Sequence, residues 1–437
     1  MFRRFFGARD RALAPYRGFE ASAPPAPGKT LDEAALDYHR RTPPGKLSIR
    51  PTKELEGQRD LSLAYSPGVA AACRAIAADP AEAASLTARA NTVAVISNGT
   101  AVLGLGDIGP LAAKPVMEGK AVLFHRFAGV NAFDLEVNET DPEKLAEIII
   151  ALEPSVGGVN LEDIRAPDCF EVEEICKARM NVPVFHDDQH GTAACILAAL
   201  TNALELTGRT LKDIRLVCSG AGAAALATLD LLFSAGLPRD AVIVIDRQGV
   251  IHQGRKAGMN PRKEAVAART RARTLEQALK GADVFLGVSQ GGVLDPEWVK
   301  TMAPAPIILA LANPDPEIWP EDAKAAAPDA IVATGRSDFP NQVNNVLCFP
   351  YVFRGALDAG AKEISRAMLI AAADAIAEVG RMPPSEALKR TYPNADLTFG
   401  PDSLMPRPFD DRLLKTVSEA VARAAGRRKR RGVTPAP

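Results

Sequence analysis

A chain of 437 residues exceeds the size at which one hydrophobic core usually stops growing, so more than one domain is expected. Hydrophobic residues make up 47% and charged residues 24%, and the formal net charge is -1, which speaks against broad electrostatic attachment to nucleic acid or a membrane surface and favours small-molecule partners. Six cysteines (Cys73, Cys169, Cys176, Cys195, Cys218, Cys348) lack C-x-x-C spacing, which points away from a zinc site or disulfide framework and towards a reducing, cytoplasmic compartment.

From the N-terminus, residues 1–30 are rich in Arg, Ala and Pro and read as a flexible extension. The start, Met1-Phe-Arg-Arg-Phe-Phe, is basic but lacks the apolar stretch of a secretory signal, and Asp10 and Glu20 count against a transit peptide. No apolar run approaches the length of a membrane span. Residues 31–188 mix helical and extended patterns. Within them Tyr65, in Leu63-Ala-Tyr-Ser-Pro-Gly68, reads on its own as a packed ring with an exposed hydroxyl, and Lys120, after Met117-Glu-Gly, as a solvated lysine. Gly104-Leu-Gly106-Asp-Ile-Gly109 fits the bare dinucleotide pattern, but Pro110 follows at once without a clear amphipathic helix.

Two acidic segments come next, Asn160-Leu-Glu162-Asp163 and Phe185-His-Asp187-Asp188-Gln-His-Gly191-Thr192. Carboxylates from separate segments can converge on one hard cation, Mg²⁺ or Mn²⁺, while leaving positions open for a chelating substrate. Each pair also has a plainer reading, as a solvated helix start and as a cap ahead of the Ala-rich helix from Thr192. Adjacent like charges beside apolar Phe185 tilt the balance towards metal.

Residues 189–426 alternate buried-strand runs with helical patterns, as in an α/β doubly wound sheet, with strands expected at Arg215–Ser219, Ala241–Asp246, Asp283–Val288, Pro306–Ala310 and Ala330–Ala333. The first runs into Gly220-Ala221-Gly222-Ala223-Ala224-Ala225 and a helical segment. Gly220 allows the tight turn, Gly222 lets backbone approach a pyrophosphate, and Ala225 allows close helix packing. The second strand ends in Asp246, 24 positions after Gly222, where a ribose hydroxyl needs an acceptor. Asp246 favours NAD, whereas the adjacent Arg247 can pair with the 2′-phosphate of NADP. Residues 427–437 form a basic tail.

These strings together resemble the malic enzymes, in their bacterial short form: Tyr65-Ser-Pro-Gly-Val-Ala, Val102-Leu-Gly-Leu-Gly-Asp-Ile-Gly-Pro, Pro115-Val-Met-Glu-Gly-Lys, Asn160-Leu-Glu-Asp, His186-Asp-Asp-Gln-His-Gly-Thr-Ala, Ser219-Gly-Ala-Gly-Ala-Ala, Ala312-Asn-Pro and Asn341-Gln-Val-Asn-Asn-Val. The likeness runs from about Leu36 to about Lys415. It implies a catalytic N-terminal domain over 31–188, a Rossmann-type NAD(P)-binding domain over 189–426, and oxidative decarboxylation of malate to pyruvate in a homodimer or larger homo-oligomer. It further implies Glu162, Asp163 and Asp188 as metal ligands, Lys120 as general base with Asp187 tuning it, Tyr65 as general acid, and Asn313, Asn344 and Asn345 as grips on the substrate carboxylates. Animal-type members place a carboxylate-binding arginine where this chain has Ala101, so backbone near Gly106 or a neighbouring subunit is expected to replace it. The larger bacterial relatives carry an added acyltransferase-like domain, for which this chain is too short. A non-decarboxylating dehydrogenase and a non-catalytic dinucleotide sensor are the rival readings, and the base at Lys120 requires a pKa lowered by burial or by the metal.

Overall fold

The structure, a computed structural model, describes residues 30–102 and 104–426. The expected extension through residue 29 and the basic tail lie outside them. The described residues fall into two compact units, divided between Ser48 and Ile49. In the first, helix Leu31–Arg40 opens on a reciprocal cap: Thr30 Oγ1 accepts from the Glu33 amide, and the Glu33 carboxylate accepts from the Thr30 amide at 2.9 Å.

The second unit is built on two parallel sheets. The first has strands β1 (Thr92–Ser97), β2 (Asn131–Glu136), β3 (Gly158–Leu161) and β4 (Val184–His186) in the order β2-β1-β3-β4. All six β1 residues are buried, as a central parallel strand covered on both faces requires. The second sheet has β5 (Leu216–Ser219), β6 (Val242–Asp246), β7 (Gly249–Val250), β8 (Val284–Gly287), β9 (Ile307–Ala310) and β10 (Ile331–Thr334) in the order β10-β9-β8-β5-β6-β7. Only β7 runs antiparallel. The five expected strands coincide with β5, β6, β8, β9 and β10 to within one residue at each end. Strand order reverses at β5, so the crevice above the carboxyl ends of β5 and β8 is the doubly wound fold's ligand position.

Helix Thr192–Thr207 shares one core with residues of both sheets; its alanines are all buried, as are Leu197, Leu200 and Leu204. Helices Phe349–Ala359, Arg366–Arg381 and Arg412–Ala424 close the same core, and the first of them packs on helix Pro110–Ala128.

Two expectations change. Pro110 begins helix Pro110–Ala128 instead of preventing one, because the first helical residue has no intrahelical use for an N–H. The stretch Gln58–Ala78 is apolar and long enough to meet the length of a membrane span. It is, however, divided at Tyr65–Gly68 into helices Gln58–Ala64 and Val69–Ala78. Neither half approaches the roughly 20 continuous residues that a span needs.

Candidate active site

Lys120 projects from the middle of helix Pro110–Ala128 into a buried acidic pocket. Its Nζ lies 2.6 Å from Asp187 Oδ2 and 2.8 Å from Glu162 Oε1, and 4.2 Å from the centre of the Phe349 ring. Glu162 Oε2 accepts from Asn160 Nδ2 at 2.8 Å, so both its oxygens are aimed. Asp187 is fully buried and also accepts from Asn345 Nδ2 at 3.3 Å. Gly191 leaves room for it, since a Cβ there would sit 1.8 Å from Asp187 Oδ1. That approach explains a glycine at the entrance to a helix that otherwise favours alanine.

Glu162, Asp163 and Asp188 each bring one carboxylate oxygen within 4.8 Å of the other two. The segments are laced by backbone: the Asp163 amide donates to Asp188 Oδ2 at 3.0 Å, and the Ala101 amide to the Asp163 carbonyl at 3.0 Å. Asp163 takes a left-handed backbone, φ 53, which turns its side chain back beside Glu162. Glu162 and Asp163 are buried, contrary to a solvated helix start. Burial drives the Glu162 carboxyl well above its usual range; Lys120 opposes this, and Asp188, Asp187 and Asp163 reinforce it. Four carboxylates thus face one lysine, an excess of negative charge in a low-dielectric pocket that a divalent cation with a preference for oxygen would neutralise. The donor set of Glu162, Asp163 and Asp188 fits Mg²⁺ or Mn²⁺.

Burial works against the charge on Lys120, yet Asp187 and Glu162 outweigh it and raise the lysine pKa above its ordinary value. The expectation of a lowered pKa is not met by burial alone, because the same pocket that desolvates the amine supplies its counter-ions.

The turn Asp187–Gly191 is held from outside by Glu173 on helix Asp168–Arg179, which sequence reasoning missed. Its buried carboxylate accepts from His190 Nε2 at 2.7 Å and Lys177 Nζ at 2.7 Å. Burial pushes Glu173 up, but the His190 hydrogen bond and charge, with Lys177, prevail and hold it at about 2. The i,i+4 spacing to Lys177 was the one available signal.

The other expected site residues disperse. Tyr65 ends helix Gln58–Ala64, is 72% exposed, and makes no hydrogen bond with Lys120 or the acidic cluster. Asn313 is exposed beside Gly335, whose Cβ would lie 2.7 Å from its Nδ2. Asn345 joins the pocket, bonding Asp187 and, through Oδ1, Thr192 at 3.1 Å. Asn344 instead caps the next turn, its Oδ1 accepting from the Val346 amide at 2.9 Å.

At the second sheet, Gly220 has φ +121, and a Cβ would meet the Val288 carbonyl at 2.6 Å, so no other residue fits this turn between β5 and β8. Gly222 has open space and precedes helix Ala223–Ser234; Ala221, Ala223 and Ala224 are half-buried, and Ala225 is buried against the core. A pyrophosphate fits this cradle. Asp246 is already occupied: Arg255 Nη2 lies 2.8 Å from both carboxylate oxygens, Lys263 Nζ lies 2.7 Å from Oδ2, and the Gln248 amide 2.9 Å from Oδ1. Arg247, the cation expected there, is exposed. Arg255 and Lys263 lie 9 and 17 residues beyond Asp246 and meet it only through the fold.

A dinucleotide turn at the switch point of a doubly wound sheet, combined with a carboxylate cluster able to hold a cation beside a lysine, defines a class of two-sheet α/β proteins. Residues 44–177 match the family model described as malic enzyme, N-terminal domain, and residues 189–397 match malic enzyme, NAD binding domain. The chain belongs to the malic enzyme family. It is 56% identical to an NAD-dependent malic enzyme of Rhizobium meliloti over 93% of this chain and 53% of that protein. It is likewise 56% identical to an NADP-dependent malic enzyme of Escherichia coli, over 90% of this chain and 52% of the relative. It thus spans about half the length of the curated relatives it matches. The crystal structure of an NAD-dependent malic enzyme from Thermotoga maritima superposes with a TM-score of 0.81 at 43% identity, covering 89% of this chain and 98% of that one.

Proposed function

We propose that this chain converts L-malate to pyruvate and CO₂ with reduction of a nicotinamide dinucleotide, using Mg²⁺ or Mn²⁺. The observation that carries the reading is the convergence of Glu162, Asp163 and Asp188 beside Lys120, at the end of a chain segment that leads directly into the dinucleotide-binding half. When bound, the metal supplies Lewis acidity to the C2 oxygen and the dinucleotide accepts the hydride.

Lys120 takes the proton of the C2 hydroxyl. With Glu162, Asp163 and Asp188 engaged as ligands, Asp187 would remain as the counter-ion at Nζ, and the charge of the bound cation would oppose that of the ammonium and so favour the neutral amine that acts as base. Asp187 keeps Nζ in place, and Asn345 and Asn313 present amides to the substrate carboxylates. Once CO₂ has left, C3 needs a proton, and Tyr65 donates it. Because Tyr65 is exposed in a segment that also exposes Leu61 and Leu63, we assign it to the site of a second copy in a homo-oligomer that covers this apolar face.

The cofactor is NADP in this reading. The reading is supported by the state of Asp246, whose oxygens are engaged by Arg255, Lys263 and the Gln248 amide: little acceptor capacity is left for a 2′-hydroxyl, and two cations are gathered at the end of β6. We assign residues 31–188 to the catalytic part and 189–426 to the dinucleotide part, in a cytoplasmic protein. Uniformly carbon-labelled malate followed by NMR tests the reaction: labelled pyruvate and CO₂ are expected, and labelled oxaloacetate as the only product would indicate a dehydrogenase that does not decarboxylate.

A further inference from the structure

Glu317 is a carboxylate that none of the chemistry above uses, and it is fully buried. It sits beneath the crevice at the carboxyl ends of β8 and β9. Its Oε1 accepts from the Ser289 amide at 2.8 Å and from Ser289 Oγ at 3.1 Å, and its Oε2 from the Ala312 amide at 3.0 Å. Ser289 Oγ is in turn 2.9 Å from Ser219 Oγ, at the last residue of β5 before the dinucleotide turn. Ala312 immediately precedes Asn313. The fold makes room for this carboxylate: a Cβ on Gly287 would lie 2.4 Å from Glu317 Cδ. One acceptor-only group is therefore bonded on one side to the loop that touches the dinucleotide turn and on the other to the loop that carries the substrate asparagine.

We propose that Glu317 is a positioning residue that sets the Asn313 loop in register with the dinucleotide turn, through the Ala312 amide on one side and Ser289 and Ser219 on the other. The assignment rests on the malate reading for its kinetic part only. A carboxylate suits this place because the three groups that bond it are all donors, and their hydrogen bonds oppose the burial that raises its pKa. An amide does not: with its oxygen on Ser289, a glutamine would turn its NH₂ towards the Ala312 N–H, leaving that buried donor unpaired.

The test compares Glu317→Gln with Ser289→Ala by hydrogen exchange and by steady-state kinetics. In Glu317→Gln, amides of residues 311–313 are expected to exchange at least tenfold faster than in the wild type while those of β5 are unchanged, and KM for malate is expected to rise about tenfold with little change in KM for the dinucleotide. In Ser289→Ala the order reverses, with KM for the dinucleotide raised at least threefold and KM for malate within twofold. A purely structural role would lower the melting temperature without separating the two KM values, and that result overturns the assignment. If Glu317→Gln does not fold, Ser289→Ala decides alone: an unchanged KM for the dinucleotide overturns it. Wild-type protein inert towards malate would sink the malate reading, while the exchange comparison still judges the positioning role.

Discussion

Glu173 offers a measurement whose size can be worked out in advance. The carboxyl has an ordinary value of 4.5 and is held at about 2 in the folded chain by His190 and Lys177. At about 1.4 kcal/mol per pH unit, the folded state gains about 3 kcal/mol from this group when it is ionised. The folded pKa lies below the unfolded one, so the stabilisation is complete above pH 4.5 and is lost as pH falls towards 2. Glu173→Gln keeps the shape and removes the charge. Urea unfolding of wild type and variant at pH 5.5, where an ordinary imidazole carries its charge, should therefore show a gap of about 3 kcal/mol that narrows steadily below pH 4.5. A gap of the same size at pH 3 and pH 5.5 would refute the electrostatic account and leave packing as the cause.

Other substitutions probe the site itself. Lys120→Ala should cut turnover on the order of 10²–10⁴-fold, the usual cost of losing a general base; a loss of only a few-fold in a folded variant would remove Lys120 from that role. Lys263→Ala should raise KM for NADP roughly tenfold while leaving KM for NAD within twofold, since one charged contact to a phosphate is lost. Equal changes for both dinucleotides would contradict the phosphate assignment. Tyr65→Phe keeps the ring that the second copy covers and removes only the hydroxyl, so the melting temperature should stay unchanged while turnover falls about a hundredfold. Unchanged turnover would place the C3 proton donor elsewhere.

The second sheet was readable from the sequence because its strands are short apolar runs bounded by glycine, proline or charge, and because Gly220 and Gly222 mark the turn that their geometry demands. The first sheet was less so. Its edge strand β2 is half exposed and carries Asp134 and Glu136, which gives no buried-strand run to find. Glu162 and Asp163 were legible as acids but not as buried ones, since what buries them is the left-handed turn at Asp163 and the pairing of β3 with β4. Arg255, Lys263 and Glu317 carried no local pattern at all. Their partners are 9, 17 and up to 28 residues away, and only the return of the chain over the strand ends brings them together.

Absorbance of the reduced nicotinamide, followed with L-malate and Mn²⁺ and repeated after EDTA and then after restoring the metal, tests the central claim most directly. Reduction of NADP is expected to stop with EDTA and return with Mn²⁺, with one pyruvate formed for each NADPH. Reduction that survives metal removal, or folded protein that reduces neither NADP nor NAD, would contradict it.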